Sequence, residues 1–216
     1  MKNIVILISG RGSNMQAIVR ACADEHWSAR VVAVIANCHD AFGLAFAQAQ
    51  GIPTLVVESR GKTRELFESE LAVVIDAFSP NLVVLAGFMR VLTSDFTLHY
   101  AGRLMNIHPS LLPAFPGLHT HASAIEAGCK LSGATVHFVT SVLDHGPIVL
   151  QAAVPIKVDD TPETLSDRIL AVEHVIYPRA VRWFVEDRLY VDDLYVSLAP
   201  DINGMNEPQW FFGANA

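Results

Sequence analysis

The chain has 216 residues, 51% of them hydrophobic, three cysteines and a formal net charge of −7. That length and apolar content suffice for one compact domain with a sizeable core, and the acidic balance argues against a broad basic surface for nucleic acid, whose affinity comes from neutralised phosphates. The longest apolar run, Leu82 to Met89, falls well short of the roughly 20 residues that span a bilayer, so no membrane partner is expected.

Ile4 to Ile8 runs straight into a glycine loop and reads as a first strand, not a signal peptide. Residues 31–36, 53–57 and 82–86 are similar Val- and Ile-rich runs flanked by Gly, Pro, Asn or Ser, the pattern of buried parallel strands. Helical patterns lie between them. The clearest covers 63–78, with Leu66, Phe67, Leu71, Val74, Ile75 and Phe78 at three- and four-residue intervals and Pro80 as the stop. A further strand at 103–108 completes an alternation that implies a parallel sheet with right-handed crossovers.

Two stretches of this half carry chemistry. "ISGRGSN", residues 8–14, ends a strand and begins a helix, placing backbone N–H groups and a positive dipole end around an anion. A phosphate fits there; a tight turn that binds nothing is the alternative. The third glycine of a dinucleotide fingerprint is replaced by Met15, which disfavours NAD, and Val56 stands where the first glycine of an ATP cradle ending at Gly61-Lys62-Thr63 belongs. "GFMRVL", residues 87–92, offers backbone hydrogen bonds beside an apolar slot suited to a flat heterocycle, or is simply core. Arg11, Arg64, Arg90 and Arg103 lie beside these loops and either bind anionic ligands or remain solvated.

Asn106 and His108 share one face of the 103–108 strand by its period of two, at the carboxyl edge where open α/β sheets bind ligands. An amide N–H and an imidazole N–H side by side suit an oxygen that becomes negative. Asp144, in "LDHG", either partners His108 and favours its imidazolium form or merely turns the chain before Gly146. His119 and His121 lie near in sequence, but no metalloenzyme spacing is present and no metal is expected. Cys22, Cys38 and Cys129 are odd in number and far apart, so neither a disulfide framework nor a zinc site is indicated and a cytoplasmic location is expected.

Beyond residue 109 a proline-punctuated loop precedes a short helix expected to be capped by Thr120 and ended by Gly128. Strands at 133–140 and 147–154 are joined by the turn-rich "SVLDHG" and permit hairpin-like pairing. A long helix follows, with Thr161 as N-cap, Pro162 at the first position and Glu163 near the positive end of the dipole. Its stripe includes Leu165, Ile169, Val172, Ile176 and Trp183, and Pro178 should kink or break it. "LYVDDLYVSL" suggests an edge hairpin, and the last dozen residues a loose tail.

The set "ISGRGSN", "LAGFMRVL", "NIHPSLLPAFPGLHTH", "GATVHFV" and "LDHGP" closely resembles the phosphoribosylglycinamide formyltransferases, folate-dependent enzymes of purine synthesis, and spans nearly the whole chain. The resemblance implies a three-layer Rossmann-like α/β fold, with a mostly parallel central sheet and an antiparallel carboxyl-terminal portion. It also implies one formyltransferase domain over 1–216, divided into a nucleotide-binding half, 1–108, and a folate and catalytic-loop half, 109–216. In the implied reaction 10-formyltetrahydrofolate gives its formyl group to the amine of glycinamide ribonucleotide. Asn106, His108 and Asp144 are the implied catalytic group. Arg11, Gly12, Ser13, Asn14 and Glu173 would hold the ribonucleotide, while Arg64, Met89, Arg90, Val91 and Leu92, with Asn106 and Asp144, would serve the folate. The segment 110–131 resembles the mobile, pH-sensitive loop of the family.

Two departures stand out: Arg11 replaces a smaller residue, which adds a possible phosphate contact, and Leu170 stands where a glutamine is familiar, which puts a ribose contact in doubt. No metal, NAD or ATP is expected, the partners are small molecules, and the state is monomer or homodimer. The rival readings are a formyltetrahydrofolate hydrolase or another formyltransferase relative, each expected to need an extra domain for which 216 residues leave no room, and a non-catalytic nucleotide- or folate-binding protein.

Overall fold

The structure is a computed structural model describing residues 1–213. The fold is of the expected three-layer α/β class, mostly parallel, with antiparallel strands in the carboxyl-terminal portion. The chain forms two compact units, one of residues 1–106 with 139–141, the other of residues 107–138 and those from 142 onward.

The first unit alternates β1 (Lys2–Ile8), α1 (Ser13–Asp24), β2 (Ala29–Ala36), α2 (Gly43–Ala49), β3 (Thr54–Val56), α3 (Arg64–Asp76), β4 (Leu82–Leu85) and α4 (Ser94–His99), and ends in the first residues of β5 (Leu104–His108). Its strands run β5-β4-β1-β2-β3, every neighbouring pair parallel. β4 and the last five residues of β1 are buried throughout, which explains their unbroken apolar runs: a strand covered on both faces has no reason to alternate. α3 sends Phe67, Leu71 and Ile75, spaced by four, into a core shared with Val5, Ile35 and Val83. Its start is fixed by Thr63, whose hydroxyl accepts the Leu66 amide at 3.3 Å. The short helices α2 and α4 lack the long periodicity that marks α3.

In the second unit, α5 (Thr120–Glu126) precedes β6 (Leu131–Phe138), β7 (Ile148–Pro155), α6 (Pro162–Val185), β8 (Leu189–Asp192), β9 (Tyr195–Leu198) and β10 (Trp210–Phe212). β6 and β7 pair antiparallel as expected, with a register shift between Val136 and His137. Gly133 lets them approach: a Cβ there would lie 1.8 Å from the Ala152 carbonyl oxygen. α6 begins where the sequence places it, in a capping box in which Thr161 Oγ1 accepts the Thr164 amide and Thr164 Oγ1 accepts the Thr161 amide. Just before it, both Asp160 oxygens accept from the Arg168 guanidinium, at 2.7 and 2.8 Å.

Four expectations are corrected. α5 is not capped by Thr120, which is its first residue and buried; His119 precedes it at φ 59° without a side-chain cap bond. α6 continues unbroken through Pro178, because that residue and Ile176, Tyr177, Ala180 and Val181 around it are buried and packing holds the turn together despite the missing N–H. "LYVDDLYVSL" is a hairpin, but β8 and β9 form a two-stranded sheet of their own. The tail is not loose through residue 213: β10 pairs in parallel with β7, and Glu207 accepts from Arg188 and from the Trp183 indole. The rest of that expectation concerns residues 214–216, which lie outside the described residues.

Candidate active site

β5 carries Asn106 half-buried and His108 buried, with Pro109 ending the strand. In the second unit the two ring nitrogens of His108 meet two different oxygens. Nε2 lies 2.9 Å from the carbonyl oxygen of Phe115, and because a carbonyl can only accept, Nε2 carries a proton. Nδ1 lies 3.5 Å from Asp144 Oδ2, and both side chains are 7% exposed.

Asp144 is itself held. Its Oδ2 accepts the Gly117 amide at 2.8 Å, and its backbone sits at φ 51°, a turn conformation that is uncommon for side chains in general and more readily adopted by Asp. Asp144 thus sits in a turn of the chain and also faces the His108 imidazole. His137, on β6, places Nε2 4.0 Å from Asp144 Oδ1 while its Nδ1 donates to the Phe138 carbonyl at 2.9 Å. Burial holds the His137 ring below its ordinary pKa, with the bond to the Phe138 carbonyl and the Asp144 carboxylate opposing. His121 on α5 is likewise lowered, by burial and by the neighbouring His108, and its Nε2 has no hydrogen-bond partner.

Sequence reasoning missed His137, Phe115 and Gly117. His137 shares its buried strand with Ser132 and Thr135 and so did not stand out, and the other two act through backbone atoms that leave no trace in the sequence.

The glycine loop of the first unit is built from backbone. Gly12, at φ 68°, precedes α1 in the left-handed region and provides no side-chain cap, and no acidic residue occupies the first turn of α1. The loop is seated by a bond from the Gly43 amide to the Gly10 carbonyl at 3.1 Å, and a Cβ on Gly12 would lie 3.0 Å from Met15 Cε and 3.3 Å from Gly43 Cα. Arg11 is exposed, Ser13 half-buried and Asn14 buried.

Of the residues assigned to the folate, Arg64 is exposed on the first turn of α3, Met89 and Val91 are exposed, and Leu92 packs on the apolar core. The Arg90 guanidinium lies 5.5 Å over the Phe67 ring. Glu173 is buried on α6 and Leu170 half-buried on the same helix. Among the described residues no group of three or more His, Cys, Asp and Glu is placed to hold a metal ion, and no helix is long and apolar enough to cross a membrane.

Residues 2–181 match the family model described as formyl transferase. The chain is similar to the phosphoribosylglycinamide formyltransferase of Escherichia coli, strain K12, with 50% identity over 87% of this chain and 89% of the relative. The corresponding enzyme of Haemophilus influenzae is 43% identical over 89% of this chain and 92% of its own. Among solved structures, glycinamide ribonucleotide transformylase 1 from Symbiobacterium toebii superposes with a TM-score of 0.89 at 45% identity, covering 92% of this chain and 94% of that one.

Proposed function

The chain belongs to the formyl transferase family, and from that premise we propose that Asn106, His108 and Asp144 carry out its chemistry. The reaction is transfer of the formyl group of 10-formyltetrahydrofolate to the amine of N1-(5-phosphoribosyl)glycinamide, giving the N-formyl product and tetrahydrofolate in purine biosynthesis. The observation that carries the residue assignment is the imidazole of His108, set between Asp144 and a carbonyl with both ring nitrogens facing oxygen.

When the amine attacks the formyl carbon, the formyl oxygen gains negative charge and a tetrahedral centre forms. The Asn106 amide and the protonated His108 ring stabilise that oxygen, and losing one such donor typically costs about 2.7–4 kcal/mol. Collapse of the centre breaks the bond to the folate nitrogen, which needs a proton while the attacking nitrogen must lose one. His108 and a water held by Asp144 relay it, an acid–base contribution of roughly 10²–10⁴-fold.

In this reading the ribonucleotide phosphate sits on Arg11, Gly12, Ser13 and Asn14, with Glu173 toward its amine-bearing portion. Arg64 and Met89, Arg90, Val91 and Leu92, together with Asn106 and Asp144, hold the folate. The donor arrives with an activated formyl group, so the proposed reaction uses no metal, ATP or NAD. The chain acts as one domain in the cytoplasm, as monomer or homodimer, on small molecules alone.

The test mixes purified protein with glycinamide ribonucleotide and 10-formyltetrahydrofolate and follows deformylated folate. Transfer should require the ribonucleotide and fall at least about a hundredfold in His108→Ala and in Asp144→Asn, the scale of lost acid–base catalysis. Folate turnover without the ribonucleotide would point to a hydrolase, and binding without turnover to a carrier.

A further inference from the structure

The segment from Met89 to Leu92 is pinned at both ends by side chains that belong to neither it nor the catalytic group. At its start the Met89 amide donates to Ser9 Oγ at 2.8 Å, and the Ser9 amide donates to the Gly87 carbonyl at 3.1 Å. At its end stands Glu68, a carboxylate on α3 only 4% exposed. The Thr93 amide donates to both Glu68 oxygens, at 3.0 and 3.2 Å, and the Thr93 hydroxyl donates to Oε2. Thr93 is simultaneously the N-cap of α4, its hydroxyl accepting the Phe96 amide at 3.3 Å and its carbonyl the Thr97 amide at 3.1 Å.

A buried carboxylate is costly unless its oxygens are hydrogen-bonded, and here both are bonded to one residue, the first beyond the segment. Phe67, next to Glu68 on the same helix, lies under Arg90 and stacks with Phe88 at 6.4 Å between centroids. One turn of α3 thus fixes the flanks, while Val91 between them is 53% exposed. The bonds from side chains outside the segment fall on Met89 and Thr93, the Arg90 amide donates back to the Phe88 carbonyl at 3.0 Å, and the Val91 side chain is left to face a ligand.

We infer that Glu68, acting through Thr93 and opposed by Ser9 at the other end, is a positioning residue that holds residues 89–92 in the shape that receives the flat heterocycle of the folate. The inference rests on the proposed assignment of 89–92 to the folate. It predicts a selective loss of folate binding when the clamp is released, because the segment gains conformers that must be re-ordered on binding, a cost equal in ground and transition states.

The experiment is steady-state kinetics on the full chain with both substrates varied. Glu68→Ala should raise KM for 10-formyltetrahydrofolate roughly tenfold, with kcat within about threefold and KM for the ribonucleotide unchanged. Glu68→Gln, which keeps the volume and one acceptor oxygen, should fall between it and the parent. Thr93→Val should raise the folate KM by itself and add nothing to Glu68→Ala, since the pair acts as one unit. Circular dichroism melts check each variant for folding, and if Glu68→Ala does not fold, Glu68→Gln and Thr93→Val carry the test.

An unchanged folate KM, a loss in kcat alone, or equal rises for both substrates overturns the inference. Val91→Glu separates the clamp from its premise: if it also leaves the folate KM unchanged, the assignment of 89–92 falls and the clamp with it. If it raises that KM while the Glu68 variants do not, the clamp alone falls.

Discussion

The two units bury different things. Of the buried polar and charged residues described, Asn14, Asn37, Glu68 and Thr97 lie in the first, while His108, Ser110, Thr120, Ser132, Thr135, His137, Arg168, Glu173 and Arg188 lie in the second. The first is a hydrocarbon core that offers a backbone loop at its rim. The second is threaded by a polar network: Thr135 Oγ1 accepts the Leu112 amide at 3.0 Å and donates to the Ser110 carbonyl at 2.7 Å, while Gln151 donates to the Leu112 carbonyl at 2.9 Å. These bonds tie the residues after His108 to β6 and β7. A hydrocarbon core accepts many side chains of about the right size, whereas a satisfied polar core accepts few, because each lost partner leaves a desolvated group behind.

That contrast can be broken by substitutions in both units. Gly133→Ala should be the most damaging, exceeding the roughly 1–3 kcal/mol typical of overpacking, since the added methyl meets a backbone oxygen at 1.8 Å; failure to recover folded protein, or a collapsed urea midpoint, is the readout. Asp160→Asn should cost roughly 2–3 kcal/mol near neutral pH by removing one partner of a buried ion pair. Arg168 holds the Asp160 carboxyl well below the usual carboxylate range. A carboxyl with a depressed folded pKa contributes its stability above the unfolded value, about 3.9, and loses it as pH falls through the folded one. Urea melts of parent and variant should therefore converge only in strong acid, and a gap independent of pH would refute the ion pair as the cause.

Thr135→Val should cost about 1–2 kcal/mol although it keeps the size of the side chain, because the Leu112 amide loses its acceptor. Ile6→Val, a shortened hydrocarbon at an equally buried site in β1, should cost least, about 1 kcal/mol or under. If Ile6→Val proves the more harmful of these two in equilibrium unfolding, the distinction between the units fails.

The same contrast explains what could be read from the sequence. The parallel strands, α3 and the glycine loop were visible because burial on both faces, helical spacing and left-handed turns each leave a local trace. β10 was not, because a three-residue strand draws its order from β7 and from the hold of Trp183 and Arg188 on the neighbouring Glu207, partners well away in sequence. Pro178 misled because its local cost is outweighed by buried neighbours on both sides of the helix. At the candidate site Asn106, His108 and Asp144 stood out by residue type and by resemblance. His137 and the backbone groups of Phe115 and Gly117 did not, since what qualifies them is orientation toward Asp144 and His108, which no spacing along the chain encodes.

The Phe115 carbonyl accepts the proton that, on the proposed assignment, an emerging alkoxide would claim. On that assignment the enzyme would wait with its donor already satisfied, and turnover would be a swap of acceptors at a constant number of bonds. If that assignment holds, the extra charge on the incoming oxygen would tip the swap, and the loop would act as a weak competitive inhibitor that the protein carries within itself.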